Sequence, residues 1–178
     1  NICTAQALLA IMAAFYAMYH GPDGLRRIAS RIQRLTCILD KGLMDAGFTR
    51  DNPHFFDTLT YTVGDQQAAI VERALASGLN LRIIGSDRVG VSLDETTTAD
   101  DVSALWCAFS GAASAPTVAS VDQSVEDNAG IPVALQRPVD YLQHPLFNDY
   151  HSETEMLRYM RRLESKDIAL NRAMIALG

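Results

Sequence analysis

Apolar side chains recur in two different ways along the first fifty residues. From Ala5 to Tyr19 they lie on every side of a helix, with Leu8, Leu9, Ile11, Met12, Phe15, Tyr16 and Tyr19 around its circumference. A helix that is apolar all round is a buried one. Thr4 is placed to cap it, and Gly21-Pro22-Asp23-Gly24 is expected to stop it near residue 20. Over 25–46 the pattern narrows to one stripe, in which Leu25, Ile28, Ile32, Leu35, Leu39 and Leu43 recur at spacings of three and four. That spacing predicts an amphipathic helix, with Gly47 just past its end. Residues 54–63 are aromatic and β-branched and predict a strand. Asp65 is expected to cap a short helix over 66–77 that ends before Gly78. Two strand-like runs, 79–84 and 88–93, flank Gly85-Ser86-Asp87 and predict a hairpin. Thr98, with Asp101 three residues on, opens a helix through Phe109 that carries the only tryptophan, Trp106.

The pattern is lost after Gly111. Residues 112–140 are rich in Ala, Ser, Val, Asp and Pro without clear period, so a linker or partly ordered strap is expected, and the least protected part of the chain. An aromatic loop over 141–150 follows. Ser152-Glu153-Thr154-Glu155 is then a capping box for a helix over 153–166, which buries Met156, Met160 and Leu163 and turns Arg158, Arg161, Arg162 and Glu164 outward. The order of elements predicts an α+β fold: a three-stranded sheet with helices on one side.

Composition narrows the function classes. The chain has 178 residues, 48% apolar and 20% charged, with 15 Lys+Arg against 21 Asp+Glu and a net charge of -6. That excludes wholesale disorder, and an acidic balance argues against nucleic-acid binding through phosphate neutralisation. The first apolar segment has no basic flank or cleavage site, and at about 15 residues it is short of the roughly 20 that span a bilayer. No membrane association is expected. Three cysteines, Cys3, Cys37 and Cys107, are odd in number and far apart, which is neither a disulfide framework nor zinc spacing and points to a reducing compartment. The first residues and the apolar run 174–178 both read as cut ends, so a piece of a longer protein is expected.

Candidate chemistry is sparse. His20, His54, His144 and His151 are scattered, with no helical i, i+4 pair, so loop and cap roles are expected and no metal site. Cys107, beside Trp106, reads as a core thiol. Arg26, Arg27, Arg31 and Arg34 raise the possibility of a phosphate patch, or of a basophilic phosphorylation site at Ser30, but Arg27, Arg31 and Arg34 share one helix face opposite the aliphatics and read as solvated. Glu155, Arg158, Arg162 and Lys166 give helical charge pairs or a grip on a neighbouring domain. No catalytic, cofactor-binding or metal-ligating residue is assigned. A free-standing α+β interaction or regulatory domain without enzyme activity is one reading these residues allow.

Two motifs point further. The run Asn1-Ile2-Cys3-Thr4-Ala5-Gln6-Ala7-Leu8-Leu9-Ala10 with Tyr19-His20-Gly21-Pro22, and the run from His151 through Ser152-Glu153-Thr154-Glu155-Met156-Leu157-Arg158-Tyr159-Met160-Arg161-Arg162-Leu163 to Glu164, resemble signatures of the glycine cleavage system P-protein family. Phe55-Phe56-Asp57-Thr58-Leu59 and the run 90–95 resemble its small-domain strands, while 112–140 carries no signature. Ile11, Gln33 and Ala176 depart from the family pattern, which favours Asn, His and Pro there.

The resemblance implies two tandem copies of a fold-type-I pyridoxal-phosphate architecture, the second carrying the cofactor on a lysine Schiff base. Residues 1–20 would close the large domain of the first copy, and 21–113 would form its small C-terminal domain. Residues 114–140 would be a linker, and 141–178 would open the second copy. The implied reaction decarboxylates glycine and passes the aminomethyl group to the lipoyl arm of the H-protein, in bacterial cytoplasm or in the mitochondrial matrix. The chain has two lysines, Lys41 and Lys166, both on charged or amphipathic helices with no phosphate cup beside them. The implied role of this piece is therefore structural. Its partners would be other domains of the same polypeptide, and self-association through helix 5–20 is expected when that helix is left uncovered.

Overall fold

A computed structural model describes residues 3–174. Thr4 opens helix α1 (Thr4–Asp45), whose geometry breaks only at Gly21 (φ 61°, ψ -178°). The first helix thus ends at Gly21, as expected, and a second starts directly after it rather than at residue 25, because Pro22 fits the first turn of the segment that follows. Gly21 is required twice over. Its φ favours glycine, and a Cβ would lie 2.7 Å from both the His151 ring and the Phe147 carbonyl.

Residues 28–137 form one compact unit, and residues 1–27 with 138–178 form another. The first of these carries the sheet. Strands β1 (Thr49–Arg50), β2 (Thr58–Thr62), β3 (Arg82–Ile84) and β4 (Arg88–Ser92) pair antiparallel in the order β1-β2-β4-β3. The strand predicted over 54–63 begins only at Thr58. Residues 51–57 instead make a loop held by Asn52, whose amide donates to the Thr58 carbonyl (3.1 Å) and whose side-chain oxygen accepts from the Thr60 N–H (2.8 Å). β1 adds a fourth strand that two residues could not announce. The hairpin between β3 and β4 turns at 85–87 as predicted, with Gly85 at φ 60°.

Alternation along β2 and β4 sorts the two faces of the sheet. Leu59, Tyr61, Val89 and Val91 are buried, whereas Thr58, Thr62, Arg88 and Ser92 are exposed. The buried face packs in one cluster with Leu35, Ile38, Leu39 and Leu43 of α1, Ile70 and Ala74 of α2 (Gln67–Ala76), and Val102, Leu105, Trp106 and Phe109 of α3 (Ala99–Ser110). Phe109 meets Phe48 and Tyr61 edge-on at 5.2 and 5.5 Å. α3 is capped as predicted: Thr98 accepts from the Asp101 N–H, and the Asp101 carboxylate accepts from the Thr98 N–H at 2.8 Å. Arg73 of α2 caps the other end, donating to the Ala108 carbonyl at 2.6 Å. Asp65 does not cap α2. It lies inside a 3-10 turn, Gly64–Gln66, that leads into that helix.

Residues 112–137 are part of the same unit. Thr117 caps a short helix α4 (Val118–Asp122), Val121 is buried in the core, and Val118 and Val125 pack against it.

In the other unit, Ser152 caps α5 (Glu153–Glu164), but Glu155 reaches past it to accept from the His151 N–H (3.2 Å). Met156 is half-buried, whereas Met160 and Leu163 are exposed, contrary to expectation. The apolar stripe of α5 is thus largely unpaired in this chain. Of the apolar run 174–178, all but Met174 lies outside the described residues.

α3 packs on α1 through Trp106. Its indole edge abuts α1 at Gly42, donates its N–H to the Leu39 carbonyl (3.1 Å), and would sit 2.3 Å from a Cβ at position 42. Helix propensity alone makes Gly42→Ala stabilising by about 1 kcal/mol. The clash reverses that sign, and a net loss of about 1–3 kcal/mol is expected. Urea denaturation measures it, and a variant more stable than the parent would refute this seating of the indole.

Candidate functional site

The groups weighed as chemistry are scattered by the fold, and each has a local partner or an exposed position. Lys41 points from α1 to Asp45, with its Nζ 2.5 Å from both carboxylate oxygens. Lys166 is exposed just beyond α5. His20 packs against Tyr16 and Tyr19, with ring centroids 4.3 and 5.3 Å apart. His144 accepts from the Leu146 N–H (3.0 Å) at the start of a 3-10 turn, Pro145–Phe147, and His54 is exposed. His151 Nδ1 lies 2.8 Å from the Tyr19 carbonyl, an acceptor, so Nδ1 carries the proton. No cluster of three metal-ligating side chains occurs among the described residues.

The thiol assignment changes. Cys107 is only half-buried, and the core thiol is Cys37, 3% exposed. Burial raises its pKa, offset in part by the nearby Gly130 backbone and by the Gln33 amide, which donates to its sulfur (2.8 Å).

The basic face of α1 changes more. Arg34 is not solvated. It donates to the Asp122 carboxylate (2.6 Å) and carbonyl (2.7 Å), to the Val125 carbonyl (3.0 Å) and to the Asp127 carboxylate (3.0 Å). Arg31 donates to the Thr97 carbonyl (2.6 Å) and that of Glu95 (3.3 Å). These arginines bind the protein's own loops. Arg162 likewise donates to the Tyr150 hydroxyl (2.6 Å) and lies over the Tyr159 ring at 5.0 Å.

A buried polar network escaped the sequence altogether. Asp40 Oδ1 accepts from Arg50 Nε (2.9 Å) and from the Tyr61 hydroxyl (2.7 Å), and the Arg50 guanidinium lies 4.6 Å from the centre of the Phe55 ring. Burial and the neighbouring Asp40 charge push the Tyr61 phenol far above its ordinary range, so it stays a donor. The three residues lie 10 and 21 positions apart, and no local motif signals their meeting.

A cleft of about 400 Å³ is lined by Pro22, Asp23, Arg26, Asp140, Tyr141 and Asn148, among others. A second, of about 330 Å³, lies near Gly47, Thr49, Thr62 and Ser110. Neither contains a lysine. A pyridoxal-phosphate site needs a lysine of lowered pKa beside a phosphate cradle. Lys41, paired with a carboxylate on an open helix face, and Lys166, at an exposed helix end, do not meet that requirement.

The sheet-bearing unit is an α+β domain built on an apolar core with one buried polar network through it. Comparison with known proteins assigns the chain to a family. The family model of the glycine cleavage system P-protein matches residues 1–109. The chain is 58% identical over its whole length to glycine dehydrogenase (decarboxylating) from Stutzerimonas stutzeri, and 57% to glycine dehydrogenase (decarboxylating) 2 from Pseudomonas aeruginosa. It is 54% identical to the Idiomarina loihiensis glycine dehydrogenase (decarboxylating). The chain belongs to the glycine cleavage system P-protein family. It spans 18% of the length of the first two relatives and 19% of the third.

Adding pyridoxal phosphate to the 178-residue chain should give no stoichiometric covalent adduct. Borohydride reduction followed by peptide mapping checks this, and stoichiometric trapping on Lys41 or Lys166 would overturn it.

Proposed function

We propose that this chain is a structural, non-catalytic portion of a glycine dehydrogenase (decarboxylating). The observation that carries the proposal is similarity, over the whole of this chain and 18% of theirs, to enzymes of that name, with Lys41 and Lys166 on helix surfaces. In this reading pyridoxal phosphate, bound elsewhere in the larger polypeptide, supplies the electron sink for decarboxylation. The aminomethyl group then passes to a lipoylated H-protein. Residues 21–113 act as the small C-terminal domain of a first fold-type-I copy, 114–140 join it to the next, and 141–178 open the second copy. A cytoplasmic setting fits the bacterial relatives, and no helix among the described residues is long and apolar enough to cross a membrane.

The polypeptide that contains these residues should exchange labelled bicarbonate into the glycine carboxyl group when given lipoylated H-protein and pyridoxal phosphate. The 178-residue chain should not. Absence of exchange by the longer polypeptide would refute the family activity, and exchange by the short chain would refute the structural role.

The apolar first segment of α1 is the surface on which other domains of the polypeptide would rest. Leu8, Leu9, Ile11 and Met12 are each more than half exposed, and Tyr16 and Tyr19 nearly so. Phe15 meets Tyr159 at 6.4 Å, and the rings of Tyr16 and Tyr19 meet His20 of the same helix. In the 178-residue chain such a surface drives self-association. Sedimentation at tens of micromolar should show a dimer or larger species that Leu8→Asp or Met12→Asp dissociates. A monomeric parent chain would refute this.

A further inference from the structure

Residues 117–131 are held to the sheet-bearing unit differently from everything else in it. The sheet and its helices are joined by large apolar side chains: Leu39, Leu43, Tyr61, Ile70 and Phe109 are fully buried. The strap contributes one small buried anchor, Val121, and the partly buried Val118 and Val125. Its principal hold is the guanidinium of Arg34, which bonds Asp122 twice and Val125 and Asp127 once each. Asp127 is 92% exposed at its side chain and Asp122 45% exposed. Salt therefore screens half of this clamp, whereas it strengthens apolar burial.

At its far end the strap covers a thiol. The Phe55 N–H donates to the Gly130 carbonyl (2.9 Å), and the Gly130 backbone lies near enough to the sulfur of Cys37, one turn along α1 from Arg34, to favour its thiolate. Only glycine fits there, since a Cβ would lie 2.6 Å from the Phe55 carbonyl oxygen. Arg34 thus holds the middle of the segment, at 122–127, and Cys37 lies beneath its end at Gly130.

We propose that residues 117–131 form a latch that opens as a unit while the sheet stays folded, locked by Arg34 and shielding Cys37. Opening breaks the Arg34 clamp and the Phe55–Gly130 bond together and brings the thiol to solvent. The strand pairings of the sheet involve no residue of the strap and are untouched. This inference is independent of the proposed activity.

Cys37 is the reporter. In the 178-residue chain with Cys3→Ser and Cys107→Ser, iodoacetamide labelling of Cys37 should be slow. Arg34→Met, or raising NaCl from about 0.05 M to about 1 M, should speed it about 10-fold or more. Amide exchange over 121–131 should rise in parallel, while exchange at Leu59, Tyr61, Val89 and Val91 stays at the parental rate. If Arg34→Met does not fold, Asp122→Asn combined with Asp127→Asn gives the same readout with the guanidinium in place. Labelling that rises only together with sheet exchange would show global unfolding and overturn the latch. Labelling indifferent to both the variants and salt would overturn the role of Arg34.

Discussion

The carboxylate of Asp40 is the point through which the parts of the sheet-bearing unit are registered against one another. It sits on the inner face of α1 and accepts from Arg50 of β1 and Tyr61 of β2 through the same oxygen. Leaving such a charge buried without its partners costs about 3–5 kcal/mol. Its two donors therefore fix where the helix lies along the first two strands. The chain of contacts continues from there. Arg50 lies over Phe55, Phe55 bonds Gly130, and Gly130 lies beside Cys37, three residues before Asp40 on the same helix. Helix, strands, loop and strap form a closed circuit of specific contacts around an apolar core that is itself non-directional.

Aromatic residues complete what the carboxylate begins. Tyr61 donates to Asp40 with its hydroxyl and offers its ring to Phe109, so one side chain couples the polar circuit to the apolar cluster. Trp106 does the same from α3, with its ring seated on Gly42 and its N–H on the Leu39 carbonyl. Such paired demands on one side chain specify a single arrangement of helix on sheet, which apolar burial alone leaves loosely determined.

What the sequence reveals of this fold follows from how local each signal is. The stripe from Leu25 to Leu43, the Thr98–Asp101 box and the turn at Gly85 are decided within a few residues, and all three appear where the pattern puts them. The strand start and β1 are not legible. Asn52 folds residues 51–57 into a loop, and the pairing Thr49↔Thr62 exists only once β2 is in place. The solvated reading of Arg34 fails for the same reason. Helical spacing says which residues share a face with it, but its carboxylate partners lie 88 and 93 positions away in a stretch with no period. Composition makes residues 112–140 a linker or partly ordered strap, since small side chains offer little apolar area; it does not record the guanidinium and glycine that hold 122–130 of it in place.

The two compact units meet their hydrophobic demand in opposite ways. Within 28–137 the large apolar side chains of the helices and the inner sheet face close on each other, and the outer sheet face is threonine, serine and arginine. Met44, Leu75, Ile83, Val133 and Leu135 are left exposed around that core, scattered over several elements. In the unit of residues 1–27 and 138–178, Leu8, Leu9, Ile11, Met12, Leu157, Met160 and Leu163 remain exposed along two helices. Apolar faces of that extent on neighbouring stretches of one unit mark an interaction surface rather than a solvent boundary. The family signatures at 1–22 and 151–164 fall in this same unit, and those at 55–59 and 90–95 in the other. In the proposed reading the exposed stripes of the first unit would meet other domains of the polypeptide, whereas the buried face of the sheet in 28–137 meets its own helices.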